Sequence, residues 1–204
     1  MIHAQHLSLE LIDAQSFPLV RLFHYPGMEW NPPDPMHRNL RVDPPDGHKS
    51  DFGVLYMSNR LLCVAMECRV IVASEQDDEL FWLKSKTEHY KIVRYIMGKP
   101  AIFLPLDGHN KALLGLVPSD NQPRVSYASF QNAAFEIFQR FGSVIHGLSW
   151  DSYHRGQPGR VYALWHHHKV TVGLRITTSK PYIQLCEDEE WKQLLLSSDL
   201  IERD

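Results

Sequence analysis

The feature that most constrains the fold of this chain is a succession of short apolar segments separated by turn residues. Each segment has the length and composition of a β-strand. The segments are residues 18–24, 53–58, 68–73 and 101–105. In contrast, residues 126–141 carry apolar side chains at helical spacing and are followed by Gly142, a common helix stop. Several short strands with few helices predict an α+β domain in which two small sheets flank a cleft.

The rest of the chain gives weaker predictions of secondary structure. Residues 25–50 hold six prolines and predict a long loop, of a kind that is usually functional or mobile. Helices are predicted at 59–67 and at the acidic-started segment 187–197. Further strands are predicted in the segments 79–95 (two strands), 113–117 (after a turn at Asp107–Gly108) and 160–177 (two strands joined at 166–169).

Composition excludes several classes of protein. The 204 residues are most simply one domain, and the apolar fraction of 44% with 22% charged residues is typical of a globular protein. A net charge of −3 without a basic block argues against nucleic acid as the main partner. No apolar run is long enough to cross a bilayer.

The cysteines and the first residues bear on localisation. Cys63, Cys68 and Cys186 are odd in number and show no Cys-x-x-Cys spacing, which favours a reducing compartment. The start of the chain has neither the basic segment nor the apolar core of a signal peptide. We therefore expect a cytoplasmic protein.

Four residues suited to an anionic, aromatic ligand occur in the first third of the chain. Arg41 precedes a Pro-Pro-Asp-Gly turn, Tyr56 ends a strand, and Glu67 follows eleven residues later in apolar surroundings. Arg21 lies inside an apolar strand, where an unpaired charge is costly, so it must meet a carboxylate or face a polar pocket. An arginine can bind a pyrophosphate with its bidentate guanidinium, and a tyrosine can stack on an aromatic ring.

The order and spacing of these residues resemble the RES domain, a family named for its arginine, glutamate and serine. Residues 147–155, which include Ser152, resemble the family's Gly-Ile-x-Tyr-x-Ser-x-x-Arg element. Residues 127–134 resemble its Thr-Gln-x-x-Ala helix, and residues 159–165 its Gly-x-Asn-x-x-Leu-Phe strand. The resemblance covers about residues 18–170 of a single domain 1–204, and leaves a C-terminal helical extension at about 186–204.

The resemblance implies a fold akin to the ADP-ribosyltransferase toxins, with split β-sheets around a cleft and a few flanking helices. It implies an enzyme that consumes NAD by cleaving the nicotinamide–ribose bond, as a glycohydrolase or phosphorylase, with NAD as substrate and no metal. The implied setting is a toxin–antitoxin pair with a helix-turn-helix antitoxin, and a homodimer is left open. Two alternatives remain: a protein ADP-ribosyltransferase, and a non-catalytic module of this fold that binds a nucleotide or a protein.

The roles that follow from the resemblance are chemically reasonable. Breaking the bond to a cationic nicotinamide gives an oxocarbenium-like transition state, which a carboxylate such as Glu67 stabilises. Arg41 and Arg21 would hold phosphates, Tyr56 would stack on the nicotinamide, and Ser152 would orient the ligand. Further candidates for the same pocket are His24, Tyr25, His154 and Arg155.

Each candidate also has an ordinary structural explanation. These are a helix glutamate facing water (Glu67), a loop arginine paired with Asp43 or Asp46 (Arg41), a buried ion pair (Arg21), a core tyrosine (Tyr56) and a turn or cap serine (Ser152).

The chain departs from the family pattern at two places. Asn39-Leu-Arg-Val stands where many members have Gly-Gly-Arg-Trp, and Val161 stands where an asparagine is frequent. Val161 favours the non-catalytic alternative.

A third hypothesis is a metal-dependent hydrolase that uses His166, His167 and His168. Consecutive residues of a strand point to opposite faces, so three in a row do not readily share one ion. We expect a solvated strand end and no metal. No glycine-rich phosphate loop is present, which argues against a Rossmann or P-loop enzyme.

Overall fold

The computed structural model describes residues 6–74, 79–118, 125–152 and 159–203. The strands are β1 (Glu10–Ile12), β2 (Leu19–Phe23), β3 (Val54–Ser58), β4 (Ile71–Ala73), β5 (Leu80–Leu83), β6 (Lys91–Met97), β7 (Ala101–Pro105), β8 (Gly147–Asp151), β9 (Arg160–Trp165), β10 (Leu174–Ile176), β11 (Ile183–Gln184) and β12 (Leu200–Arg203). The α-helices are α1 (Leu61–Glu67), α2 (Lys84–His89), α3 (Gly108–Leu113), α4 (Tyr127–Phe141) and α5 (Glu189–Ser197). Short 3₁₀ helices occur at Pro35–His37, His166–His168 and Leu185–Glu187.

The strands form one large and one small sheet. The nine-stranded sheet has the order β1-β7-β8-β9-β3-β2-β6-β10, and β11 also pairs with β6. Its β7–β8 pair is parallel and its other pairs are antiparallel. The three-stranded sheet has the order β12-β5-β4. The architecture is therefore α+β with two sheets and few helices, as predicted, although the sheets are very unequal in size.

The large sheet is split between β2 and β3. β2 pairs with β6 along all five of its residues, and β3 pairs with β9 along all five of its own. Between β2 and β3 the register contains one pair, Val20 with Ser58. The two strands therefore diverge beyond that pair, and their separation opens the sheet at its centre.

Hydrophobic cores lie on both faces of the large sheet. Alternate residues of β2 belong to different cores, with Leu19 and Phe23 in one and Val20 and Leu22 in another. Helix α4 packs its Phe130 side into a third core, which it shares with β8 and β9. Helix α1 packs on the Val20–Leu22 side together with Trp191 of α5. The helices thus flank the split.

The predicted strands at 18–24, 53–58 and 101–105 and the predicted helices at 59–67, 126–141 and 187–197 are confirmed. The strand predicted at 68–73 forms in its second half. Helix α4 begins at the cap Ser126, whose hydroxyl accepts from the Ser129 amide at 3.1 Å, and ends at Gly142. Helix α5 begins at Asp188, whose carboxylate accepts from the Trp191 amide at 3.0 Å.

Of two further predictions of secondary structure, one is incomplete and one is wrong. The segment 79–95 contains β5 and most of β6, as predicted, but α2 lies between them; only Thr87 of this helix is buried, so it leaves almost no apolar periodicity. The segment 113–117 is not a strand: α3 ends at Leu113, and a turn follows it. Helix α3 is fixed by a polar side chain: buried Asn110 donates to the carbonyls of Ser8 and Pro105 at 2.8 and 2.9 Å.

The C-terminal segment joins the fold through a helix and a strand. Arg94 of β6 binds both carboxylate oxygens of Asp188 at 2.6 and 2.8 Å, and so anchors the start of α5. Strand β12 then pairs in parallel with β5. The predicted helical extension therefore also completes the small sheet. No helix among the described residues is long and apolar enough to span a membrane.

Candidate functional site

A cavity of about 1000 Å³ lies at the split of the large sheet. Four of the five predicted site residues line it: Arg21, Arg41, Tyr56 and Glu67. They come from β2, the long loop, β3 and the end of α1, so the fold brings together residues from four separate elements. Of the other lining residues, Ser58 and Val64 come from β3 and α1.

Arg21 bridges the gap between the diverging strands. Its Nη1 donates to the Tyr56 carbonyl at 3.2 Å, and its Nε donates to the Met28 carbonyl at 3.1 Å. The residue is 4% exposed, and burial lowers the pKa of its guanidinium. Arg21 therefore bonds to one carbonyl of a loop and one of a strand. These two hydrogen bonds hold the split in place.

Tyr56 is held through its hydroxyl group. The phenol donates to Asp43 Oδ1 at 3.2 Å and accepts from the Val42 amide at 3.2 Å. Burial, together with the nearby Asp43 carboxylate, raises the pKa of Tyr56 well above its ordinary value. The hydroxyl stays protonated and is occupied on both sides, so the ring is what Tyr56 offers a ligand.

Arg41 lies on an aromatic surface at the edge of the cavity. Its guanidinium carbon lies 4.9 Å from the Phe130 ring centre and 5.5 Å from the Tyr127 ring centre. Both rings belong to α4, which also contacts the loop by a hydrogen bond of 2.9 Å from Gln131 Nε2 to the Leu40 carbonyl. Helix α4 thus fixes the part of the loop that carries Arg41.

Glu67 is the last residue of α1, which starts beside the split and packs its apolar face inward. The side chain is half-buried and lines the cavity. The neighbouring Cys68 thiol has its pKa raised to about 12, mainly by burial, with Arg21 opposing and Glu67 adding to the shift. Cys68 therefore remains a neutral thiol in the cavity wall.

Ser152 takes a different position from the other four residues. It follows β8, and it is not among the described residues that line the cavity. Its hydroxyl is buried beside the Cys63 thiol. Its role in orienting a ligand stays a prediction. His154 and Arg155 lie outside the described residues, whereas His24 and Tyr25 line the cavity.

The loop predicted at 25–50 forms one side of the cavity. Arg38 holds the loop by donating to the carbonyls of Pro33, Lys49 and Phe52 at 2.9, 2.8 and 2.9 Å. Gly53 allows a close approach at the loop's end, because a Cβ there would lie 2.4 Å from Pro32 Cγ. The loop therefore has a defined conformation around the cavity.

Sequence reasoning missed several residues of the site. Asp43 appeared there only as a partner for Arg41, yet it is 2% exposed and bonds to Tyr56. Trp150 lines the cavity with its ring edge-on to Tyr56, at 6.3 Å between ring centres. Nothing in the sequence marked Tyr90, whose ring lies 3.7 Å from that of His24 at the cavity wall. The Arg-x-Asp spacing was a usable signal for Asp43, although it did not indicate the hydrogen bond to Tyr56.

The histidines do not form a strand end. His166, His167 and His168 form a 3₁₀ helix, and His168 is buried with its Nε2 2.6 Å from the Gly142 carbonyl. The expectation of a solvated strand end is therefore wrong for His168, because this turn packs on the C-terminus of α4. Within the described ranges, no three His, Cys, Asp or Glu residues are grouped so as to hold a metal ion.

Comparisons with known proteins give little beyond this geometry. No protein-family model matches the chain, and no curated protein matches it significantly in sequence. One similar solved structure is a chain of the M. tuberculosis MbcT–MbcA toxin–antitoxin complex, with a TM-score of 0.49 and 14% identity over 89% of this chain and 90% of that one.

Proposed function

We propose that the cavity binds NAD and that the protein cleaves its nicotinamide–ribose bond. The observation that supports this most is the convergence of Arg21, Arg41, Tyr56 and Glu67 on one cavity at the split of the sheet. The sequence resemblance assigns the same four residues to NAD. The volume of about 1000 Å³ is at the upper end of the range of ligand pockets, about 300–1,000 Å³, and suits an extended dinucleotide.

Each residue has a distinct part in the proposed reaction. Arg41 holds the pyrophosphate, and Tyr56 presents its ring to the nicotinamide. As the C–N bond breaks, its electron pair passes to the nicotinamide nitrogen, and positive charge develops on the ribose. The Glu67 carboxylate stabilises that charge, and water, phosphate or a protein side chain then attacks the ribose carbon. Arg21 acts mainly by keeping the split open, since its guanidinium bonds to two carbonyls.

Nicotinamide release from NAD by the purified protein tests the proposal directly. Glu67→Gln is expected to lower the rate by at least about a hundredfold, since it removes the charge that stabilises the transition state. Glu88→Gln, at an exposed position of α2, is the matched control and should not change it. Release that is equal in wild type and Glu67→Gln would exclude this mechanism. Added phosphate separates phosphorolysis from hydrolysis, and labelled NAD in lysate detects transfer to protein.

The biological setting we propose is that of a toxin held in check by an antitoxin. The support is the sequence resemblance. Expression of the wild type should arrest growth and deplete cellular NAD, whereas expression of Glu67→Gln should do neither. The product of an adjacent reading frame should bind the protein and prevent the arrest. Growth arrest by both forms would separate toxicity from NAD cleavage.

A second candidate function is a non-catalytic binding module. The observation that favours it is Val161, which is 3% exposed, lines the cavity and pairs with Ser58 and Trp150 on neighbouring strands. A valine cannot hydrogen-bond a ligand as an asparagine can. NAD binding by calorimetry without any release of nicotinamide would support this candidate.

A further inference from the structure

Asp43 connects two residues that the proposed function assigns to the ligand, Tyr56 of β3 and Arg41 of the loop. The carboxylate accepts from the Tyr56 hydroxyl at 3.2 Å through Oδ1 and from the Leu40 amide at 2.8 Å through Oδ2. The Tyr56 oxygen in turn accepts from the Val42 amide at 3.2 Å. These bonds hold the amides of Leu40 and Val42, and Arg41 lies between those two residues.

We propose that Asp43 is a positioning residue that sets Tyr56 and Arg41 in register with each other for ligand binding. This inference rests on the proposed function, because it concerns the same cavity. The Asp43 carboxylate holds the Tyr56 hydroxyl and the backbone on one side of Arg41 directly, and it holds the backbone on the other side through Tyr56. Asp43 itself is 2% exposed and acts on the ligand through these two neighbours.

The arrangement needs a carboxylate rather than another polar group. Both oxygens of Asp43 accept hydrogen bonds, and no carboxamide has two acceptor atoms. An asparagine would keep one bond and set an N–H group against either the Tyr56 hydroxyl or the Leu40 amide. The two hydrogen bonds stabilise the buried charge of Asp43, and the loss of either bond would be costly.

The surroundings of Asp43 show that burial is not fully offset by cations. Burial raises the pKa of the Asp43 carboxyl, while the Leu40 amide, the Tyr56 hydroxyl, Lys49 and Arg38 oppose that rise. Groups with perturbed pKa values cluster at functional sites, and Asp43 lies in the wall of the cavity.

Activity measurements with single and double variants test the positioning role. Asp43→Asn should raise KM for NAD about tenfold or more with a smaller change in kcat, because Arg41 holds the pyrophosphate, whose charge does not change in the reaction, and Tyr56 contributes to binding by stacking. Tyr56→Phe should weaken binding in the same way, and Asp43→Asn should have a much smaller effect in the Tyr56→Phe background. Asp46→Asn, at a fully exposed carboxylate three residues away, is the matched control and should behave as wild type. Additive effects of Asp43→Asn and Tyr56→Phe would overturn the inference.

A second measurement needs no ligand and separates this inference from the proposed function. The Val42 amide bonds to Tyr56 and not to Asp43, so its protection from hydrogen exchange reports whether Asp43 acts through Tyr56. Asp43→Ala, which removes both hydrogen bonds, should reduce the protection of both Leu40 and Val42. Unchanged protection of Val42 would overturn the inference even if NAD is cleaved. Loss of protection in a protein that does not cleave NAD would uphold the positioning role and reject the proposed reaction.

Discussion

Arg21 and Tyr56 face each other across the gap in the large sheet, with Arg21 Nη1 donating to the Tyr56 carbonyl at 3.2 Å. In a continuous sheet that carbonyl would be available to the neighbouring strand, but β2 and β3 pair at one residue each. A guanidinium is long enough to span the gap and carries enough donors to reach Met28 as well. The split that creates the cavity is therefore stabilised by a residue that also lines it.

Replacing Arg21 by methionine tests this relationship. Arg21→Met keeps an unbranched side chain but removes both donors, so the carbonyls of Met28 and Tyr56 lose hydrogen bonds in a buried place. We expect a loss of about 2 kcal/mol or more in the free energy of unfolding, measured by denaturant titration. Arg175→Met, at an exposed position of β10, should change stability little. Equal stability of wild type and Arg21→Met would show that the gap needs no such bridge.

The charge and shape of Arg41 are expected to matter separately. Arg41→Lys keeps the positive charge but loses the planar group that lies against Tyr127 and Phe130 and that can bind a pyrophosphate with two hydrogen bonds. We expect KM for NAD to rise about tenfold with kcat less affected, measured by steady-state kinetics. A KM unchanged by Arg41→Lys would mean that a point charge suffices at this position.

The anchor of the C-terminal segment should be a main determinant of stability. Asp188 is 3% exposed, caps α5 and binds Arg94 through both oxygens. Asp188→Ala leaves the Arg94 charge without this partner, so we expect a loss of about 3 kcal/mol in the free energy of unfolding. Glu189→Ala removes a neighbouring exposed carboxylate and should have little effect. Thermal melts of the two variants that coincide would contradict this assignment.

Stability should fall in mild acid, partly because of His146. Burial and the nearby His168 lower the pKa of His146 below its ordinary value of 6.5, and its Nδ1 accepts from the Ile102 amide at 2.9 Å. The unfolded chain therefore binds a proton more readily, and stability present above about pH 6.5 is lost as the pH falls through the lower folded-state pKa. His146→Asn keeps a neutral acceptor and should flatten this dependence between pH 7 and 5. His109→Gln, at an exposed position of α3, should leave the slope unchanged.

Secondary structure was predictable where the local pattern is strong. Helix α4 has apolar side chains at helical spacing, a serine cap and a glycine stop, and β2 and β3 are continuous apolar runs. Helices α2 and α3 were missed because each buries a single polar residue, Thr87 and Asn110, instead of an apolar face. A helix that is held by tertiary hydrogen bonds leaves no periodic signal in its own sequence.

The sequence by itself determined the fold class, the main strands and which residues have side chains suited to an anionic, aromatic ligand. The tertiary structure alone decided that β2 and β3 diverge, that Arg21 bonds to carbonyls, and that Asp43 accepts a hydrogen bond from Tyr56. These facts depend on strand register and on contacts between residues far apart in the chain. Local propensity acts within a few residues, whereas the position of a buried charge is set by which distant donors the packed chain brings to it.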